Sequence, residues 1–268
     1  MIPADAPRHN VLGVGVSATD LRSATDRIIA AARKGEPMAV SALAVHAVME
    51  AQSDEGYRAR LNALDMATPD GQPVRWALNT LHGTSLRNRV YGPFLMREVC
   101  SAAAAEGLPV YLFGSTAGTL ARLSVNLCES HPGLRIAGTR PSRFRRVSEA
   151  EAQGDARAIA ESGARIVFCG LGCPRQEAWV HAMRPLVRAP LIGVGAAFAL
   201  WAGERSMAPA WMQDRGLEWC YRLFQEPSRL AGRYLVQGPG FFSRVALQAL
   251  GRRQGDISAQ AVDPEFWG

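Results

Sequence analysis

Short apolar runs alternate with longer segments of helical period from Val11 to Val194, and this alternation restricts the fold more than any other feature of the chain. The runs are short, apolar and set off by turn residues, so they read as strands rather than helices. Strands that take turns with helices build a parallel sheet, so the predicted class is α/β: a Rossmann-like, mostly parallel sheet flanked by helices. The predicted strands lie at 11–16, 38–43, a short one near Met66, 110–113, 134–138, 165–169 and 191–194. Predicted helices cover 20–33, 73–81, 93–106, 118–130, 149–161 and 174–183, with Thr19 or Asp20 capping the first and Ser148 the fifth.

The texture changes after Met207. There the strand pattern stops, and the sequence reads as short helices broken at Gly216, Pro227 and Gly238-Pro239-Gly240. Arg215, Arg222, Arg229, Arg233, Arg244, Arg252 and Arg253 interleave with Trp211, Trp219, Tyr221, Phe224, Tyr234, Phe241 and Phe242. Two readings of this stretch stay open: an amphipathic module for a membrane surface, or a helical subdomain packed on the sheet with a solvated arginine face. The expected division is an α/β domain over 1–206, a C-terminal helical, arginine-rich appendage over 207–253, and a flexible tail over 254–268.

With 268 residues and 48% hydrophobic content, the chain can bury a core of one large domain or two small ones. No window approaches the roughly 18 consecutive apolar residues of a membrane span, and MIPADAPRHN lacks a signal-peptide pattern, so the expected compartment is the cytoplasm. Net charge is +6, and Lys34 is the only lysine among 30 basic residues. Guanidinium is the better fork for phosphates and carboxylates, but the charge alone fits nucleic acid, an anionic membrane or a phosphorylated substrate equally. Cys100, Cys128, Cys169, Cys173 and Cys220 show no paired spacing, and no ligand set completes a metal site around Cys169 and Cys173.

Ligands in such sheets bind beyond the carboxyl ends of the strands, and four loops there carry candidate chemistry. Thr68-Pro69-Asp70-Gly71 offers Asp70, read either as an ordinary turn and cap residue or as a general base. Gly114-Ser115-Thr116-Ala117-Gly118 is either a tight turn or a backbone cradle for a diphosphate. It is not a dinucleotide fingerprint, and the chain has no P-loop string. The elbow Gly170-Leu171-Gly172-Cys173-Pro174 places Pro174 at the first helical position, with Gln176 and Glu177 in the first turn facing the mouth of the sheet. A glutamine there suits a sugar hydroxyl or a uracil edge. The fourth loop, 193–198, contributes Gly195. His46 reads as packing, and no D-x-D string is present.

Taken together, VHAVMEAQSD, TPDGQPVRWAL, RVYGPFLM, VYLFGSTAG, FCGLGCPRQEAW, IGVGAAFALWAG and RGLEWCYRLFQEPSRLAGRYL occur in order. In this the chain resembles the WecB/TagA/CpsF family of bacterial glycosyltransferases, glycosyltransferase family 26, over about residues 10–245. The resemblance implies an inverting, metal-independent and cofactor-free enzyme, held peripherally on the inner face of the plasma membrane. It would move a sugar from a UDP-sugar to a polyprenyl-diphosphate-linked sugar during cell-surface polysaccharide synthesis. Asp70 would be the base. Arg89 and Gln176 would bind substrate, and Arg215, Arg222, Arg229 and Arg233 would meet the acceptor and an anionic membrane; the reading of the loops adds Gly114, Ser115, Gly172, Glu177 and Gly195 as expected substrate contacts. A homo-oligomer is compatible with this picture; nucleic acid is not an expected partner, because the aromatics sit at helical spacing among Leu and Val. Ala42, Ala44, Phe94 and Ala199 stand where many relatives carry polar residues, which leaves the donor sugar open and keeps a second reading alive: a non-catalytic scaffold that binds UDP-sugar or lipid carrier.

Overall fold

A computed structural model describes residues 6–252, 255–257 and 261–268. The chain opens with a hairpin of β1 (Arg8–Val11) and β2 (Val14–Ser17), followed by α1 (Leu21–Lys34), β3 (Met38–Leu43), α2 (Val45–Glu50), α3 (Glu55–Asn62) and β4 (Met66–Pro69). Next come α4 (Gln72–His82), α5 (Gly92–Ala105), β5 (Val110–Phe113), α6 (Ala117–Ser130), β6 (Ile136–Arg140) and α7 (Glu149–Glu161). β7 (Ile166–Cys169), α8 (Arg175–Met183), β8 (Pro190–Gly193) and α9 (Ala197–Trp201) complete the α/β body. The C-terminal region carries α10 (Ala210–Asp214), α11 (Glu218–Gln225), α12 (Pro227–Ala231), a π-helical turn (Gly232–Gln237) and α13 (Gly238–Ala249).

Six strands form a parallel sheet in the order β4-β3-β8-β7-β5-β6. Successive strand residues point to opposite faces, and both faces are dry. On β5, Tyr111 and Phe113 join one apolar cluster while Val110 and Leu112 join the other. Val167 and Cys169 against Ile166 and Phe168 repeat the pattern on β7. The first cluster packs beneath α2, α3, α4, α7, α8 and α13, where Phe113 and Trp179 stack at 4.3 Å. The second packs beneath α1, α5, α6 and α9 through Ile28, Val99, Leu123 and Phe198. This is the two-sided burial a parallel sheet needs.

Local signals place most of the elements. Asp20 caps α1 by accepting from the Ser23 N–H, and Ser148 with Glu151 forms a full capping box on α7. Pro69 sits at the end of edge strand β4, where a missing N–H costs no ladder bond.

Several expectations need correction. Residues 11–16 are not one strand: Leu12 (φ 54°) and Gly13 (φ 82°) turn the chain, making a hairpin. That hairpin shields the β4 edge, with Ser17 Oγ accepting from the Ala67 N–H at 3.2 Å and the Arg8 guanidinium on the carbonyls of Leu61, Asn62 and Leu64. The strand predicted at 134–138 runs two residues later, as β6. Pro174 precedes α8 as its N-cap rather than occupying its first position. Helices α2 and α3 were not anticipated.

Gly238-Pro239-Gly240 does not break the helix. The π-helical turn runs directly into α13, with Pro239 at the start of that helix. α13 is built into the body: Phe241 is fully buried, Val245 nearly so, and Gln248 bonds both the Leu12 N–H and the Asn10 carbonyl. The end of the presumed flexible tail is also anchored. Glu265 bridges Arg60 and Arg146, Trp267 pairs with Arg146 in a β-bridge, and the Ser142 hydroxyl donates to the Gly268 carbonyl at 2.7 Å.

Candidate active site

The carboxyl ends of β3, β4 and β8 converge on Asp70. Its N–H donates to the Leu43 carbonyl at 3.0 Å, which continues the β3–β4 register by one residue and fixes the backbone. The half-buried side chain accepts from the Gly92 N–H at 2.6 Å through Oδ1. Gly92 opens α5, so this bond lies at a helix N-terminus, where a carboxylate is favoured. A Cβ on Gly92 would come within 3.1 Å of the Val194 carbonyl and 3.5 Å of both Ala42 and Asp70, so only glycine lets α5 approach this closely. Burial nevertheless pushes the Asp70 carboxyl up to about 6, against the opposing pull of Arg89 and the Gly92 bond.

Arg89 reaches the same place from the segment before α5. Its guanidinium pairs with Glu218, lies 4.1 Å from the Tyr91 ring centroid, and approaches the Asp70 carbonyl at 3.5 Å. Glu218 is buried at the start of α11, and Arg222 one turn later has Tyr234, Tyr91, Glu218 and Asp70 as its charged and phenolic neighbours. Tyr91, Glu218 and Arg222 line one small cavity with Ala196, Leu200 and Met207. The C-terminal helices thus form a wall of this site, as well as an outer layer.

Gln176 and Glu177 occupy the adjoining corner but do not face open space as expected. Both are almost fully buried, because α8 turns its first residues down against β3 and β8. The Gln176 amide lies against the backbone of Gly193 and Gly195, where added side chains would meet it at 3.3 to 3.4 Å. Glu177 accepts from Ser41 Oγ at 2.9 Å and Gln176 Nε2 at 2.8 Å.

The remaining glycines serve chiefly to let loops touch. A side chain at Gly114 (φ 104°) would strike Gly170 and Leu171, and one at Gly170 would collide with the Phe198 ring. Gly172 (φ 77°) has open space around its α-carbon, and its carbonyl accepts from the Gln176 N–H. Ser115, in the left-handed region, uses its carbonyl to hold the Ser142 N–H at 2.9 Å. Gly114 and Ser115 follow β5, two strands away from β8, so they border a different part of the mouth from Asp70.

Cys169 is an interior residue whose thiol is pushed up by burial, and Cys173 Sγ lies 3.2 Å from the Tyr57 hydroxyl. Among the described residues no group of three or more His, Cys, Asp or Glu side chains is arranged to hold a metal.

The structure therefore gathers Asp70, Arg89 and Arg222 around one point and puts Gln176 and Gly195 beside it. Arg215 is exposed, 5.9 Å from the Trp211 ring centroid, and the side chains of Arg229 and Arg233 lie outside the described residues, as does Arg253. Tyr91 and Glu218 were missed by the sequence reading. Glu218 stands four residues before Arg222, a spacing that reads as an ordinary surface pair on a helix, and nothing local says that Glu218 is buried and Arg222 half-buried. The protein-family model described as the glycosyl transferase WecG/TagA/CpsF family matches residues 9–255 of the 268.

Proposed function

The chain belongs to the WecG/TagA/CpsF family of glycosyl transferases, and from that premise we propose that it transfers a sugar from a UDP-sugar to a polyprenyl-diphosphate-linked sugar with inversion. The observation that carries this reading is the Asp70 carboxylate, held at one oxygen by Gly92 and lifted to about 6 by burial. A base of that strength is mostly ionised at neutral pH and still accepts a proton readily. In the proposed step Asp70 takes the proton of the acceptor hydroxyl as its oxygen bonds to the anomeric carbon. The bond from that carbon to the diphosphate oxygen breaks on the opposite face, and UDP leaves with the electron pair.

Arg222 and Arg89 are assigned to the charge that develops on the leaving diphosphate, because guanidinium groups beside a partly buried site act with little screening. No cofactor or metal is assigned a role in this step. The same C-terminal helices expose Trp219, Phe224, Leu235, Val236 and Phe242. These are assigned to an anionic membrane surface, which would bring the lipid-linked acceptor to the wall that carries Arg222.

The test is a UDP-release assay over a panel of UDP-hexoses and UDP-N-acetylhexosamines with a short-chain lipid-diphosphate sugar as acceptor. Wild-type turnover that Asp70→Asn abolishes, with UDP binding retained in calorimetry, is the expected result. The apolar Ala42 beside Gly92 favours the second reading, a non-catalytic scaffold that binds UDP-sugar or lipid carrier. Binding without turnover in the wild type would establish it in place of the first.

A further inference from the structure

Resting on the donor-binding reading above, we infer that Glu177 is a positioning residue: its carboxylate fixes the Gln176 amide so that Oε1 faces the substrate as a hydrogen-bond acceptor. The site then requires a donor group, a free hydroxyl or N–H, on the part of the UDP-sugar that lies there.

The bonding pattern leads to this assignment. Both side chains are more than nine-tenths buried. Glu177 Oε1 receives two donors, the Ser41 hydroxyl and Gln176 Nε2. The flipped amide would set two acceptor oxygens against each other at that 2.8 Å separation. Burial pushes the Glu177 carboxyl above its ordinary value, against the opposing pull of the bonds from Gln176, Ser41 and Tyr57.

With Nε2 held, Gln176 Oε1 is left as a buried acceptor with no partner in the protein. Such an atom calls for an explanation, and an absent ligand group is one. Oε1 lies 3.4 Å from where a side chain at Gly195 would begin, so glycine there sets only backbone against this oxygen. Gly195 has φ 53°, and Gly193, at the end of β8, leaves room for the rest of the amide.

The experiment pairs protein variants with substrate variants. UDP-glucose, UDP-N-acetylglucosamine and their monodeoxy analogues are measured by UDP release and, independently, by calorimetric binding. The proteins are wild type, Glu177→Gln, Ser41→Ala and Gln176→Met. In wild type, removing one particular hydroxyl is expected to cost roughly tenfold in affinity or kcat/KM beyond the other positions. In Glu177→Gln, whose amide lets Gln176 turn either way, and in Gln176→Met, that selectivity falls to about twofold. Ser41→Ala, the milder change, lies between. A merely structural loss would lower all donors together. The inference is overturned if folded Glu177→Gln keeps the wild-type deoxy profile, or if wild type shows no selective position. Selective binding with no turnover in wild type would retain this inference and defeat the catalytic reading instead.

Discussion

The Gly92 N–H and the Asp70 carboxylate meet at 2.6 Å, which ties the N-terminus of α5 to the loop after β4. One carboxylate oxygen is thereby committed to the scaffold, and the other is what the proposed chemistry uses.

Asp70 gives the activity an acid limb. Because its carboxyl is pushed up to about 6, kcat/KM should fall about tenfold per pH unit below that value and level off above it. Asp70→Asn should reduce turnover by about a hundredfold or more. The same shift sets a stability trend of opposite sense. The folded state holds this proton more tightly than the unfolded chain, so its contribution to stability declines as pH rises from 3.8 to about 6. At pH 8, Asp70→Asn should be more stable than wild type by about 1–3 kcal/mol in urea titration. A less stable variant would show that the carboxylate is a structural anchor.

The Arg89–Glu218 pair couples the C-terminal helices to the base. Its side chains are 13% and 8% exposed, so removing one charge strands the other. Glu218→Ala should cost about 3 kcal/mol and expose α10–α13 to limited proteolysis. Glu218 also raises Asp70, so Glu218→Gln should move the acid limb below pH 6. An unmoved limb would mean that the two carboxylates do not interact.

The exposed apolar residues of the C-terminal helices should govern membrane affinity. Phe224 is 87% and Val236 71% exposed, and replacing both by Ser should weaken co-sedimentation with anionic vesicles by about tenfold or more. UDP release with a water-soluble acceptor should be unaffected. Equal sedimentation of variant and wild type would send the membrane surface elsewhere.

The C-terminal end should be a stabilising strap. Deleting residues 264–268 removes the Glu265 bridge to Arg60 and Arg146 together with the packing of Phe266 and Trp267 on the core. A loss of about 2 kcal/mol or more is expected, read as a lower midpoint of thermal unfolding. An unchanged midpoint would return this segment to the flexible tail first expected.

Most of the strands and helices of the body, and their assembly into a parallel sheet, were legible in the sequence because burial on two faces and capping are local requirements written residue by residue; the β1–β2 hairpin, α2 and α3 were not. Asp20 and Ser148 announced their helices, and β3 and β5 begin and end where the apolar runs do. Asp70 and Gln176 stood out as polar residues on loops at strand ends, with a bland reading beside each, and Arg89 was found only because familiar strings surrounded it. What no local pattern carries is the meeting of segments far apart in the chain. Glu218 lies 129 residues from Arg89, and Ser41 lies 136 from Glu177. A buried ion pair and a surface one have the same residues and spacing, and only the packing of α11 against the segment that carries Arg89 and Tyr91 decides which charge loses its water. The tertiary structure thus determined which way Glu177 faces, which arginine enters the site, and that the chain's last residues are held. Burial and desolvation belong to the assembled surface, not to any stretch of sequence.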